Sequence, residues 1–348
     1  MKGTRYGAFT LADLLQHLPQ RHFLQFHAHP FPLRQRGSGQ TEREQANQNN
    51  TQFHHFSDFI LRMASHLDAF SAYPNQTRIP SGAPGETKHI VDSHKLHTIC
   101  SSGRCPNMGE CWGKGTATFM IGGEICTRSC KFCNTQTGRP LPLDPEEPTH
   151  VAESIQLMKL SHAVITSVDR DDLDDLGAAH WAKTISEIKR LNPETTTEVL
   201  IPDFQGKSEL IQLVIDAKPD IISHNMETVR RISPLVRSAA NYATSLKVIK
   251  QIANNGITAK SGIMVGLGER PEEVEEVMDD LLAQGCKILT IGQYLQPTHR
   301  HYPVADYITP DQFKQYRTIG LKKGFREVES APLVRSSYHA EKHIKFKG

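Results

Sequence analysis

Six of the seven cysteines in this 348-residue chain fall within residues 100–133, as two triplets: Cys100, Cys105 and Cys111, then Cys126, Cys130 and Cys133. The second triplet reads CTRSCKFC, a C-x3-C-x2-C loop. Three thiolates occupy three corners of a four-iron cluster and leave the fourth iron without a protein ligand, a Lewis-acidic and redox-active position. The first triplet, C-x4-C-x5-C, repeats the incomplete set at another spacing. The pattern sets one expectation above all: two iron–sulfur clusters, each one cysteine short of full protein ligation.

Seven cysteines in 348 residues is far below the density of a disulfide scaffold, so the crowding of six reads as metal binding in a reducing compartment. Zinc is the competing reading, because soft thiolate sites suit both zinc and iron–sulfur clusters. Structural zinc usually takes four ligands, often from C-x2-C pairs, and C-x2-C occurs here only at Cys130 and Cys133. Position favours the cluster, since a zinc staple rarely needs three cysteines in the loop leaving the first strand of a βα series. Forty basic residues against 38 acidic ones give a net charge of +2. No global field therefore recruits nucleic acid or an anionic membrane, and no run approaches the roughly 18 apolar residues of a membrane span. Neither nucleic acid nor membrane is expected as a partner. Residues 1–41 carry Lys2, Arg5, Arg21, Arg34 and Arg36 against Asp13. Serine is scarce there and no apolar core or cleavage site follows, so a cytoplasmic location is expected over organellar targeting.

Residues 1–55 are rich in Gln, His and Arg and are expected to form a disordered extension. One amphipathic helix is expected over 56–71 and another around 88–96, within a segment 56–115 that carries the first triplet. From about residue 117 the pattern repeats as strand, loop and helix. Apolar, β-rich runs at 117–125, 162–168, 196–202, 219–224, 257–266 and 287–293 alternate with helical patterns such as AAHWAKTISEIKRL and PEEVEEVMDDLLAQ. Such alternation implies parallel βαβ units. Periodicity does not separate an open doubly wound sheet from a curved partial barrel. Because CTRSCKFC follows the first strand, its ligands sit at a strand's C-terminal edge, where barrel enzymes gather their chemistry. The expected fold is therefore α/β: a partial (β/α)6 TIM-type barrel over 116–300, with an N-terminal cysteine-rich extension and a C-terminal extension over 301–348.

CTRSCKFC resembles the loop of the radical S-adenosylmethionine superfamily, and the likeness extends further. The segments 94–135, TSVDRDDLDDLGAAHWA, EVLIPDF, SHNMETV, KSGIMVGLGE, GQYLQPT and RSSYHA together resemble the lipoyl synthase family, from about residue 88 to 341. The resemblance implies that Cys126, Cys130 and Cys133 hold a 4Fe–4S cluster whose open iron binds S-adenosylmethionine. It also implies that Cys100, Cys105, Cys111 and a serine of RSSY hold an auxiliary 4Fe–4S cluster that supplies sulfur. Aligned on that motif the serine is Ser337, ahead of Ser336; capping or a solvated tail is the alternative for both. The activity implied is insertion of two sulfur atoms at C6 and C8 of a protein-bound octanoyl chain. The partners implied are octanoylated lipoyl carrier domains of 2-oxoacid dehydrogenase complexes, the glycine cleavage H protein, and a ferredoxin or flavodoxin electron donor. Biotin-synthase-like and methylthio-transferring enzymes also pair two clusters, but the first triplet stands upstream of CTRSCKFC, which speaks against them.

Candidate cofactor contacts follow from position. Phe132 sits beside Cys133 as an aromatic shield. Gly266 and Gly268 of GLGE let backbone approach a ligand closely, or form a plain strand–helix turn. Asn225 and Glu227 end the fourth expected strand, with helix capping by Asn225 as the alternative. Arg170 in VDRDDL is expected to meet the cofactor carboxylate or its acidic neighbours, and the aspartates around it read as a capping loop. Cys286 reads as a small buried hydrophobe. Anaerobically purified protein is expected to be brown, with about eight iron and eight sulfide per chain. A colourless zinc protein would end the two-cluster reading.

Overall fold

The computed structural model describes residues 116–344 together with His97, Thr98, Asn107 and Cys111. The expected disorder of 1–55, the helices expected over 56–71 and 88–96, and the cysteines at 100 and 105 lie outside the described residues.

All six strands expected from the sequence form. They are β2 (Thr116–Ile121), β5 (His162–Ser167), β6 (Thr196–Leu200), β7 (Ile221–Ser223), β8 (Thr258–Val265) and β9 (Ile288–Gln293). Helices α1 (Glu147–Leu157), α2 (Ala178–Leu191), α3 (Ser208–Asp216), α4 (Ser233–Val236), α5 (Tyr242–Asn254) and α6 (Pro271–Ala283) connect them. The sheet order is β1-β2-β5-β6-β7-β8-β9-β10, every neighbouring pair parallel except β1 (His97–Thr98) with β2. The series does not stop at residue 300. Helix α7 (Pro310–Lys323) and β10 (Glu327–Ser330) continue it inside the expected C-terminal extension. Both carry a weak apolar signal: α7 buries only Phe313, Tyr316 and Gly320, and Val328 is the one buried residue of β10.

The strands alternate two kinds of side chain. Ala117, Phe119, Ile121, Ile165, Val199 and Leu289 join the apolar core shared with Ile155, Ile185, Val214 and Val277 of the helices. Each such aliphatic side chain contributes about 1.5–3 kcal/mol by leaving water. Neighbouring positions of opposite parity are Thr116, Thr118, His162, Glu198, Ser223, Lys260 and Thr290, all buried although polar. A second face that is polar yet dry is the inner wall of a curved sheet. Helix starts are marked locally: Asn241 accepts from the Ala243 and Thr244 amides before α5, and Thr309 accepts from the Gln312 amide ahead of Pro310 in α7. Among the described residues, no helix is long and apolar enough to cross a membrane.

After β10 the chain turns back over this inner wall. The Gln293 amide donates to the Pro332 carbonyl at 3.2 Å. Gly292 meets the Val334 carbonyl so closely that a Cβ there has no room. The turn Ala340–Ile344 then reaches the opposite end of the strands, where Thr116 Oγ1 donates to Glu341 Oε2 at 3.3 Å.

The deepest charges are Lys260 and Glu198, with side chains 0% and 1% exposed. Lys260 Nζ donates to both Glu198 oxygens, at 2.7 and 2.9 Å. Burial alone would raise the Glu198 pKa, but the Lys260 ammonium holds it well below the usual carboxylate range. Lys260→Met leaves a carboxylate buried without its counter-charge and is expected to cost about 3–5 kcal/mol. A urea midpoint equal to the parent's, measured anaerobically, would contradict that assignment.

Candidate cluster and cofactor site

The cysteine loop begins where β2 ends. Gly122 and Gly123 take φ of 82° and 95°, a left-handed turn that side-chain-bearing residues resist. The turn is pinned from both sides: the Gly122 amide donates to Glu147 Oε2 at 2.8 Å, and Arg170 Nη1 donates to the Gly122 carbonyl at 3.1 Å. A small parallel pair then brackets the loop, β3 (Ile125–Cys126) with β4 (Gln136–Thr137). The Gly138 amide donates to the Cys126 carbonyl at 3.0 Å, and Thr137 Oγ1 to the Arg128 carbonyl at 3.0 Å. The sequence reading ran the first strand on to residue 125; the two glycines end it at Ile121 instead.

Within the bracket the thiols are graded from inside to outside: Cys126 is buried, Cys130 half-buried and Cys133 exposed. Cys126 Sγ accepts from the Arg128 amide at 3.4 Å and the Asp169 amide at 3.3 Å. Cys130 Sγ lies 3.9 Å from Ser238 Oγ. The Cys133 amide donates to the Cys130 carbonyl at 3.1 Å, and His301 Nε2 donates to the Cys133 carbonyl at 3.0 Å. Burial pushes the Cys126 thiol up to about 11, with the Asp169 carboxylate and Cys133 adding to it. Burial likewise raises Cys130, and Glu227 and Asp169 add to the effect. A bound iron reverses this by deprotonating its thiol ligands outright, and amide N–H bonds to the sulfurs then tune the cluster. Among the described residues, no three His, Cys, Asp or Glu side chains converge on a single metal ion. A cubane takes one thiolate per iron and needs no such convergence.

One residue inside the loop escaped the sequence reading. Arg128, with its side chain 6% exposed, forks onto Asp171 at 2.7 and 2.8 Å and reaches Asp203 at 2.8 Å and Asp169 at 3.2 Å. Asp169 and Asp171 follow β5 and Asp203 follows β6, so the guanidinium ties the cysteine loop to two further strand ends. The bidentate contact with Arg128 lowers the Asp171 pKa; at Asp203 the same partner overcomes an opposing effect of burial. The available signal was an arginine between two ligands and aspartates just past two strands, spacing that a solvated capping loop shares.

The other expected contacts divide. Phe132 is half-buried against the edge of the core. Asn225 caps no helix; its Oδ1 is buried and unpartnered, beside Gly262. Glu227, at φ 65°, exchanges backbone hydrogen bonds with Gly262 and Met264. Burial raises its carboxyl pKa, against the pull of Arg237 and the Asn225 amide. An unpartnered acceptor beside a carboxyl that Cys130 senses suits a ligand carrying amino or hydroxyl donors. Gly266 and Gly268 end β8 on the same rim, but their close approaches are to the chain itself. Gly266 abuts Gln293 and the Asp306 carbonyl, and Glu269 accepts from the Gly266 and Leu267 amides at 2.5 and 2.9 Å. Arg170 is 4% exposed and gives Nε and Nη2 to Asp172 at 2.8 and 2.9 Å, so it braces the Gly122 turn rather than facing a ligand carboxylate. His224 is held between the Ile201 carbonyl and Ser245 Oγ, both at 2.9 Å, a structural role. Cys286 is fully buried, as expected of a small hydrophobe.

At the first triplet, the Cys111 amide donates to the Asn107 carbonyl at 2.9 Å. Asn107 Nδ2 in turn donates to the Leu333 carbonyl at 2.7 Å. That bond fastens the first-triplet segment to the segment carrying Ser336 and Ser337, both half-buried. In the metal-free protein, alkylation by iodoacetamide at pH 8 should reach exposed Cys133 well before Cys126, whose thiol is both buried and protonated. Equal labelling of the two would refute this gradation.

These features meet known proteins at three levels. The profile of the Radical SAM superfamily matches residues 120–281. A lipoyl synthase of Phocaeicola vulgatus is 96% identical over 278 residues, covering 79% of this chain and 98% of that protein. A lipoyl synthase of Bacteroides fragilis is 84% identical over 261 residues, covering 75% of this chain and 91% of that one. The crystal structure of Streptococcus suis SuiB bound to precursor peptide SuiA superposes with a TM-score of 0.51 at 9% identity, over 82% of this chain and 64% of that one, a likeness of fold alone. With CTRSCKFC at the rim of a partial parallel barrel and this identity over most of its length, the chain belongs to the lipoyl synthase family of radical S-adenosylmethionine enzymes.

Proposed function

We propose that this enzyme inserts sulfur at C6 and C8 of an octanoyl chain borne on a lysine of a lipoyl carrier domain, using two 4Fe–4S clusters seated at separate places in one barrel. The observation that carries the reading is the path of the C-terminal segment. It brings Ser337 in from the rim at Gly292 toward the far end of the strands at Thr116, fastened on the way to Asn107 of the first triplet. When bound, the first cluster with S-adenosylmethionine supplies hydrogen abstraction from unactivated C–H bonds, and the second supplies sulfur. No side chain here does that work by acid–base chemistry, because alkyl C–H groups are not usefully acidic; the protein positions and shields.

Cys126, Cys130 and Cys133 hold the first cluster, and Arg128 fixes their loop to the ends of β5 and β6. Asn225 Oδ1 and Glu227 offer acceptors to the amino or hydroxyl groups of S-adenosylmethionine, with Phe132 screening the cluster side and the Gly266–Gly268 turn shaping the wall. Cys100, Cys105, Cys111 and Ser337 hold the second cluster. A serine oxygen is a harder, poorer partner for iron than a thiolate, which suits a cluster that has to open. Carrier domains of 2-oxoacid dehydrogenase complexes and the glycine cleavage H protein are the proposed substrates, with a ferredoxin or flavodoxin as electron donor and the cytoplasm as the compartment.

Separate substitutions test the division of labour. Cys126→Ala should abolish 5′-deoxyadenosine formation, while Cys111→Ala should spare most of it and stop sulfur insertion. Lipoyl product from the Cys111 variant would refute the assignment, and full wild-type turnover by Ser337→Ala would remove that serine from the ligand set.

A further inference from the structure

Resting on that reading of Ser337, the floor of the barrel shows what seats the segment that carries it. Ser337 lies in a run of local turns: the Tyr338 amide donates to the Arg335 carbonyl at 2.9 Å and the Ala340 amide to the Ser337 carbonyl at 3.3 Å. Bonds of this kind shape the segment without fixing where it lies. Besides His339, whose Nδ1 lies 3.8 Å from Glu329 Oε1 of β10, its position comes from both flanks. Upstream, the Pro332, Leu333 and Val334 carbonyls meet Gln293, Asn107 and Gly292. Downstream, the chain enters the polar interior, where His343 is 1% exposed and Arg326 Nη2 donates to its carbonyl at 3.3 Å.

His343 fills a vacancy in the bonding of a buried ammonium. Lys260 carries three N–H donors and no acceptor. Glu198 takes two of them, at 2.7 and 2.9 Å, and His343 Nδ1 stands 3.2 Å away as acceptor for the third. A lysine can only donate, so Nδ1 presents its lone pair and the ring proton sits on Nε2, which is buried without a hydrogen-bond partner. The imidazole is thereby neutral against a neutral ion pair, and burial together with Lys260 lowers its pKa. Glu198 Oε2 is 3.9 Å from Nδ1, beyond hydrogen-bond reach, so Lys260 is the group that grips the ring. Removing the ring takes away the acceptor of this third N–H.

We propose that His343 is a positioning residue: by accepting the third N–H of Lys260 it latches the C-terminal segment into the barrel and so fixes where Ser337 lies. The latch is a side-chain hydrogen bond near the end of the described chain, so it can open while the barrel stays folded. That gives the segment a closed state for holding the second cluster and an open one for its replacement.

The test uses the full chain, anaerobically loaded with iron and sulfide, as wild type, His343→Ala and His343→Gln. Limited trypsin digestion reports release of the segment, through cleavage after Arg335 and Lys342. The alanine variant should be cut about tenfold faster than wild type. Its iron should fall from about eight toward about four per chain, with 5′-deoxyadenosine formation retained as the control for a folded barrel. His343→Gln, which keeps an acceptor within reach, should restore resistance. Trypsin resistance of His343→Ala equal to wild type overturns the latch, and so does a glutamine variant as sensitive as the alanine one. A released segment that leaves all iron bound would uphold the latch and refute Ser337 as a ligand, so the two readings fail separately.

Discussion

Parallel strands end together, and this one constraint assembles the upper site. Each crossover helix returns the chain to the same edge, so residues far apart in sequence arrive at one rim. The cysteine loop follows β2, Asp169 and Asp171 follow β5, Asp203 follows β6, Asn225 and Glu227 follow β7, and Gly266 follows β8. Arg128 makes the convergence chemical rather than merely geometric, because a single buried guanidinium spans three carboxylates. The price is an inner wall lined with polar groups, which the Glu198–Lys260 pair and His343 Nδ1 satisfy only in part: His162 Nε2, Ser223 Oγ and His343 Nε2 are buried without a hydrogen-bond partner.

Much of this was legible because it rests on local pattern. The helix over Ala178–Leu191 shows a clear apolar stripe, and Pro271 marks the first turn of its helix. The strand runs were read correctly where β-branched residues fill both faces, as in HAVITS. What escaped depends on distant partners. Val328 in EVES becomes a strand residue because Leu289 lies beside it in register, which nothing in the four residues announces. Arg128, the β3–β4 bracket and His343 are likewise defined by contacts between 11 and 83 residues apart in sequence. Arg170 takes the second of its two expected partners, the acidic neighbour Asp172, because a charged residue near a ligand site reads the same whether it faces the ligand or braces the turn behind it.

The triplets differ in how far local structure accounts for them. For the second, the Gly122–Gly123 turn and the Arg128 clamp explain the loop's path, and burial together with the Asp169 carboxylate explains the raised pKa of Cys126 and Cys130. For the first, the described contacts are Asn107 with Leu333 and Cys111 with Asn107, which link it to the segment leading into RSSYHA. A motif at each end of the recognisable region is thus joined by a hydrogen bond from an asparagine side chain to a backbone carbonyl, a contact no periodicity would suggest.

The β3–β4 bracket bears on how iron is captured. Because protein contacts alone close the loop from Cys126 to Cys133, little chain entropy remains to be lost when metal arrives. Loading then includes stripping the proton from a buried sulfur, with Cys126 raised to about 11. Cluster uptake by the empty protein is consequently a proton-releasing event.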